Sequence, residues 1–352
     1  MVAAHPNPDR FASAASPMRH GLPTGDPDTH PLLQPLAEAQ DAVARLEASA
    51  AAASPAVAAG LCARVAYREA AGWLAHTHTW VHARDLALRD AGVTGSYAVA
   101  AMAGRLAAEL PTMTALDTKP DTVPADQMAG SALRLARVWR RLAEHRTWRP
   151  IAHAAAVRET LASLGWAVTI DDTAVEEWLY LAGRHDRGPA LIRAGHGARD
   201  WMNRQGHTDP LATDGMFLAA CLWRDAGYGR DTPLPFWSAP AQLHHRLALR
   251  VGTEWQASFL ACVAAAARSA REELAGLQRA ETAGATLART ARSHLPRALD
   301  HLLRSPIVTA HGLAESLAIS PRAALGLLGQ LVAAGVIREA TGRAAWRAFT
   351  TA

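Results

Sequence analysis

Lysine is all but absent from this chain: of its 36 basic residues only Lys119 is a lysine, the others being arginines. Together with the abundance of alanine, this is the signature of GC-rich coding, so the arginine bias by itself carries no functional weight. Cysteine is scarce as well. Cys62, Cys221 and Cys262 lie far apart, which fits neither a disulfide framework nor a zinc site, and they read as small buried hydrophobes in a reducing cytosol. Long apolar runs are missing too. The longest, Phe259 to Ala267, falls well short of the ~18 residues that a bilayer span needs, so no membrane partner is expected. The first thirty residues are rich in Pro, His, Asp and Ser and contain no apolar core segment, so 1–30 is expected to be a disordered leader and not a signal peptide. No repeat of fixed period is found.

What is present is alanine-rich helical periodicity. β-Branched residues are sparse before residue 300, and Gly and Pro cluster between periodic segments, which predicts a mainly α fold. Fifty per cent hydrophobic residues in 352 supply a large core and room for two domains. The pattern predicts helices at 32–53, 57–88, 97–110, 125–144, 175–183, 189–203, 215–226, 253–283 and 291–303. A loop is expected at 111–124, where three prolines fall among Asp and Thr. The eleven tryptophans are read as core and interface residues.

The last sixty residues are the most informative. Thr309 is placed to cap a short helix with Leu313, Ala314 and Leu317 on one face, and Ala318-Ile319 makes a tight connection. Ser320 then caps a second helix with Pro321 in its first position, and Ala324, Leu325, Leu328, Leu331 and Val332 repeat at helical spacing until Gly335. Beyond Gly335 the period drops to two, through Val336–Glu339, a turn at 341–343, and Ala345–Phe349. This predicts a winged helix-turn-helix over 285–352, following an all-helical region over 31–284.

Charge points the same way. From 291 to 352 seven arginines face three acidic residues, an excess of four that equals the net charge of the whole chain. The basic excess therefore sits where duplex DNA would bind. Thr309, Ser320, Arg322, Arg338, Arg343 and Arg347 form the expected DNA-binding set. Arg322, in the first turn of the second helix, is placed to read a base edge, and Arg343 and Arg347 on the wing to meet phosphates or the minor groove. The alternative is a winged helix that serves as a protein-binding or dimerisation module.

Three runs carry a family resemblance. His301–Thr309, Leu313–Leu317 and Ile337–Arg343 resemble the winged helix at the end of many bacterial Fic-type proteins. They resemble still more a family of uncharacterised, often plasmid-borne bacterial proteins that pair an all-helical domain with this motif. Trp73-Leu74 and Trp80–Ala91 are similar to the N-terminal helix of that family. The resemblance implies a helical Fic-like domain, and Fic enzymes transfer AMP from ATP through a loop that opens on a histidine and continues as Gly-Asn-Gly-Arg. The matching segment here runs His207-Thr208-Asp209-Pro210-Leu211-Ala212-Thr213-Asp214-Gly215 and lacks that phosphate cradle. The inhibitory glutamate of the family, which would fall near Thr77, is also absent. Catalysis is therefore not expected, no catalytic residue is assigned, and no cofactor is expected. The helical domain is expected to dimerise or to sense a small-molecule or protein effector, in a homodimeric cytoplasmic DNA-binding regulator. The alternatives are a divergent nucleotide-using transferase near His207 and a protein-interaction adaptor.

His76, His78 and His82 form one further cluster. On a continuous helix His78 and His82 would stand one turn apart, as metal ligands do, yet no matching carboxylate or cysteine lies nearby except Asp85. Metal binding is not expected there. His244-His245 reads as part of a loop.

Overall fold

One long helix organises the fold. In the computed structural model, Gly252–Leu287 is a single helix of 36 residues, about 54 Å long at 1.5 Å per residue. Its buried positions Trp255, Phe259, Val263, Ala267, Ala270, Leu274 and Leu277 recur at spacings of three and four, so one stripe faces the core from end to end. The structure describes residues 31–93, 125–145, 147–184, 188–229, 232–287, 293–341 and 347–352. The expected leader, the expected helix at 97–110, the loop at 111–124 and Arg343 lie outside them.

In chain order the described helices are α1 (Leu33–Ala51), α2 (Pro55–His76), α3 (Ala83–Asp90), α4 (Ala125–Glu144), α5 (Ala154–Ser163), α6 (Asp172–Gly183) and α7 (Ala190–Arg204). They continue as α8 (Thr213–Asp225), α9 (Ala241–Ala248), α10, the long helix, α11 (Leu295–Arg304), α12 (Ala310–Leu317) and α13 (Pro321–Ala333). Three short strands join the C-terminal part: β1 (Val308–Thr309), β2 (Ile337–Glu339) and β3 (Ala348–Thr351). The protein is thus mainly helical, as its composition predicts.

α1 lies along α10 through Ala39, Ala42, Val43, Leu46 and Ala50, a helical stripe buried against that spine. α2 packs between α4, α10 and α11, and α7 pairs with α8. Alanine and glycine make these approaches close: a Cβ on Gly72 would fall 1.8 Å from the carbonyl oxygen of Trp237. The tryptophans form the core, with Trp139, Trp178, Trp201, Trp237 and Trp255 fully buried, while Trp80 stays half exposed. Glu69 is also wholly buried. Its carboxylate accepts hydrogen bonds from the backbone N–H groups of Phe236, Trp237 and Ser238 and from the Ser238 hydroxyl, and so fixes the loop before α9.

The predicted helix 57–88 is corrected. α2 stops at His76, because His78 adopts a left-handed conformation (φ 59°) and the N–H of Thr79 returns to the carbonyl of Leu74 at 2.7 Å. A new helix starts at Ala83, capped by His82, whose Nδ1 accepts from the Arg84 N–H at 3.1 Å. Two further helices lie where the sequence pattern predicts none. α5 is capped by a histidine, His153, instead of by Ser, Thr or Asp, and α9 spans only eight residues and contains the His244-His245 pair expected in a loop.

Among the described residues no single helix is long and apolar enough to cross a membrane.

Candidate nucleic-acid interface

The C-terminal unit forms as its capping residues dictate. The Thr309 hydroxyl accepts from the Gly312 N–H at 3.1 Å and starts α12. α12 ends at Ala318, held left-handed at φ 53°, with the Ile319 N–H bonded back to Ala314 at 3.0 Å. Ser320 then accepts from Ala323 at 3.2 Å, and Pro321 opens α13. The chain bends by 111° between α12 and α13, which is the geometry of a helix-turn-helix. Gly335 at φ 70° ends α13, with the Val336 N–H returning to Leu331 at 3.0 Å.

Behind the two helices, Leu313, Leu317, Ala324, Leu328 and Leu331 share one buried core with Leu299, Leu302 and Leu303 of α11 and with Val308, Ile337 and Phe349 of the strands. The strands pair antiparallel in the order β1-β3-β2, with Val308 opposite Phe349 and Ile337 opposite Thr351. The central strand, β3, thus ties the entry of α12 to the exit of α13.

The expected contact residues take different positions. Thr309 and Ser320 serve as helix caps. Arg322 is exposed in the first turn of α13 and makes no ion pair or hydrogen bond among the described residues. Beside it, the outer face of α13 offers Leu325, Gly326, Gly329, Gln330 and Val332. Leu325 and Val332 are large apolar residues 42% and 37% exposed. Arg347 lies 2.9 Å from Glu339 and stacks over the ring of Phe349, 5.3 Å from its centroid. Arg304 is similarly paired with Asp300 at 2.8 Å. Surface pairs of this kind contribute only about 0–1 kcal/mol, so Arg347 can exchange its carboxylate for a phosphate at little cost. Arg338 lines a cavity between the strands and helices α2, α3 and α10, which places it among side chains of the helical region.

Two residues that the sequence did not single out connect this unit to the rest. Arg64 on α2 donates to the carbonyls of Leu302 and Ser305 at 3.4 and 3.1 Å, and to that of Leu303 at 2.9 Å. It thereby caps the C-terminus of α11, and Glu273 of α10 stands 3.5 Å from its Nε. Burial pushes the Arg64 guanidinium down to about 10, against the pull of Glu273. Gly60 lets α11 come close, since a Cβ there would sit 1.9 Å from the Leu303 oxygen. No sequence signal marks Arg64 beyond an arginine in an otherwise apolar stretch of helix.

The three histidines of the expected cluster take separate places, and His78 stacks on His245 with 6.5 Å between ring centroids. His76 ends α2, 3.4 Å from Asp209, while His82 caps α3 and His78 lies in the loop between. The breaking of the expected helix thus removes the one-turn spacing of His78 and His82. Among the described residues no three His, Cys, Asp or Glu side chains are grouped as metal ligands. His207 contacts buried Asp214 at 2.9 Å, and the same carboxylate oxygen accepts from the Trp201 indole at 2.7 Å.

Residues 295–350 match a family described as an HTH DNA binding domain. The matched segment begins at α11 and ends within β3, so it covers the three helices and the sheet up to Thr350. It lies outside residues 31–284 and gives no support to the Fic resemblance there. No curated protein matches the chain.

Proposed function

We propose that this protein is a transcriptional regulator of a bacterial cytoplasm, a homodimer in which α13 enters the major groove of duplex DNA and the β2–β3 ribbon is the wing. The observation that carries the proposal is exposed Arg322, unpaired among the described residues, at the N-terminus of a helix set at 111° to its partner within the matched DNA-binding segment. Arg322 would read a base, and Arg347 would hold the backbone. The helical region 31–284, Fic-like in its sequence resemblance, serves to dimerise or to sense an effector. It has no catalytic part in this proposal: His207 is engaged with Asp214, and the segment carries no Gly-Asn-Gly-Arg cradle.

The test is selection of bound sites from random duplex DNA by the full chain, followed by titration in rising salt. Enrichment of a two-fold symmetric site, with affinity falling steeply as salt increases, is the expected result. A second reading rests on the apolar outer face of α13, where Leu325 and Val332 would suit a protein surface better than a phosphate backbone. Failure to retain any duplex at low salt would favour that adaptor role.

A further inference from the structure

The cavity that takes in Arg338 has a volume of about 520 Å³, within the range of small-molecule sites. Its walls come from two parts of the chain. α2, α3 and α10 supply one side, and Pro306, Ile307, β2 and β3 of the C-terminal unit supply the other. Four arginines line it, Arg64, Arg68, Arg84 and Arg338, against two carboxylates, Glu272 and Glu273.

Two of the four arginines are committed within the protein. Arg64 holds the α11 carbonyls, and Arg68 holds Ser269, with Glu273 beside both. The other two are available. The Nε of Arg84 is buried with no hydrogen-bond partner, and the nearest carboxylate, Asp85, is 4.0 Å away. Arg338 makes no ion pair or hydrogen bond among the described residues. Ala83 and Arg84 also bring the first turn of α3, with the positive end of its helix dipole, to the wall. An unpartnered guanidinium nitrogen, a second guanidinium on the opposite wall and a helix N-terminus together select negative charge.

We propose that this cavity is an effector site for a small anion bearing carboxylate or phosphate groups, held between Arg84 of the helical region and Arg338 of the C-terminal unit. The inference rests on the regulator proposed above only for its consequence. A ligand that touches both walls favours one placement of the helix-turn-helix on α2 and α10, and so changes DNA affinity; by linkage, DNA changes anion affinity by the same factor.

The experiment uses the full chain with citrate and pyrophosphate as probes, against sodium chloride at matched ionic strength. Thermal unfolding and duplex binding are read in parallel. The expected result is a saturable rise in Tm with one of the two probes and a change of about fivefold or more in DNA affinity. Both effects should be lost in Arg84→Gln and in Gly276→Phe. The second variant fills the cavity without altering its charge, at a position where the nearest atom to an added Cβ is an arginine terminus 3.8 Å away. Whether citrate or pyrophosphate acts distinguishes carboxylate from phosphate recognition. No saturable stabilisation by either probe, equal stabilisation by chloride, or undiminished stabilisation in both variants would overturn the effector site while leaving DNA binding intact. Stabilisation that is lost in the variants, in a protein that retains no duplex, would instead keep the site and overturn the regulator.

Discussion

Arg64 and Leu303 are 239 residues apart in sequence, yet the guanidinium of the first donates to the carbonyl of the second at 2.9 Å. This bond and its neighbours to Leu302 and Ser305 satisfy carbonyls that the end of α11 would otherwise leave buried without partners. The C-terminal unit is therefore held on the helical region by polar bonds as well as by the apolar contact of α11 with α2 and α10.

Arg64→Met should destabilise the protein by about 2–3 kcal/mol, since it keeps the volume but orphans three carbonyls and leaves Glu273 without one of its partners. Denaturant unfolding measures this. A change below about 0.5 kcal/mol would show that water replaces the guanidinium without loss.

Gly60→Val should act on the same junction through sterics alone. Because an added Cβ would stand 1.9 Å from the Leu303 oxygen, α2 and α11 must separate, costing about 1–3 kcal/mol by chemical denaturation. Unchanged stability would contradict the close helix approach.

Ala318→Gly should stabilise the protein by about 1 kcal/mol, because Ala318 occupies the left-handed region at φ 53° where only glycine is free of strain. The thermal midpoint is the readout, and duplex affinity should not change. A fall in the midpoint would mean that the turn between α12 and α13 is not left-handed at this residue.

His244 gives the protein a pH dependence. Its ring is buried, its Nε2 lies 3.1 Å from the Phe236 carbonyl oxygen, and burial pushes its pKa from 6.5 down to about 4. The unfolded chain binds the proton first, so the stability linked to this group is fully present above about pH 6.5 and is lost as pH falls through about 4, amounting to about 3 kcal/mol. His244→Gln should flatten the pH profile of unfolding between those values. A profile identical to the wild type would assign the slope to other groups.

Arg322→Ala should lower the affinity for a selected duplex by about 1–3 kcal/mol and relax preference at one base position. Arg347→Ala should weaken binding to all sequences alike and reduce the salt slope by about one. If Arg347→Ala changed sequence preference while Arg322→Ala changed nothing, the orientation of α13 in the groove would be wrong.

Local chemistry alone determined most of the C-terminal unit. Ser320-Pro321 favours a helix start, Gly335 favours a helix end, and the apolar spacing from Leu313 to Leu331 fixes which faces are buried. The stop of α2, which lacks glycine, was invisible for the same reason. Nothing in His76-Thr77-His78 announces that His78 goes left-handed and ends α2, and His153 is not a residue that usually marks a helix start.

Tertiary structure decided the rest, because periodicity shows that a face is buried but not against what. An arginine count could not tell that Arg347 lies on Glu339, that Arg338 lines a cavity with Arg84, or that Arg64 reaches the end of α11. Those outcomes depend on which helix packs on which, and charges are paired by distance in space and not by distance along the chain.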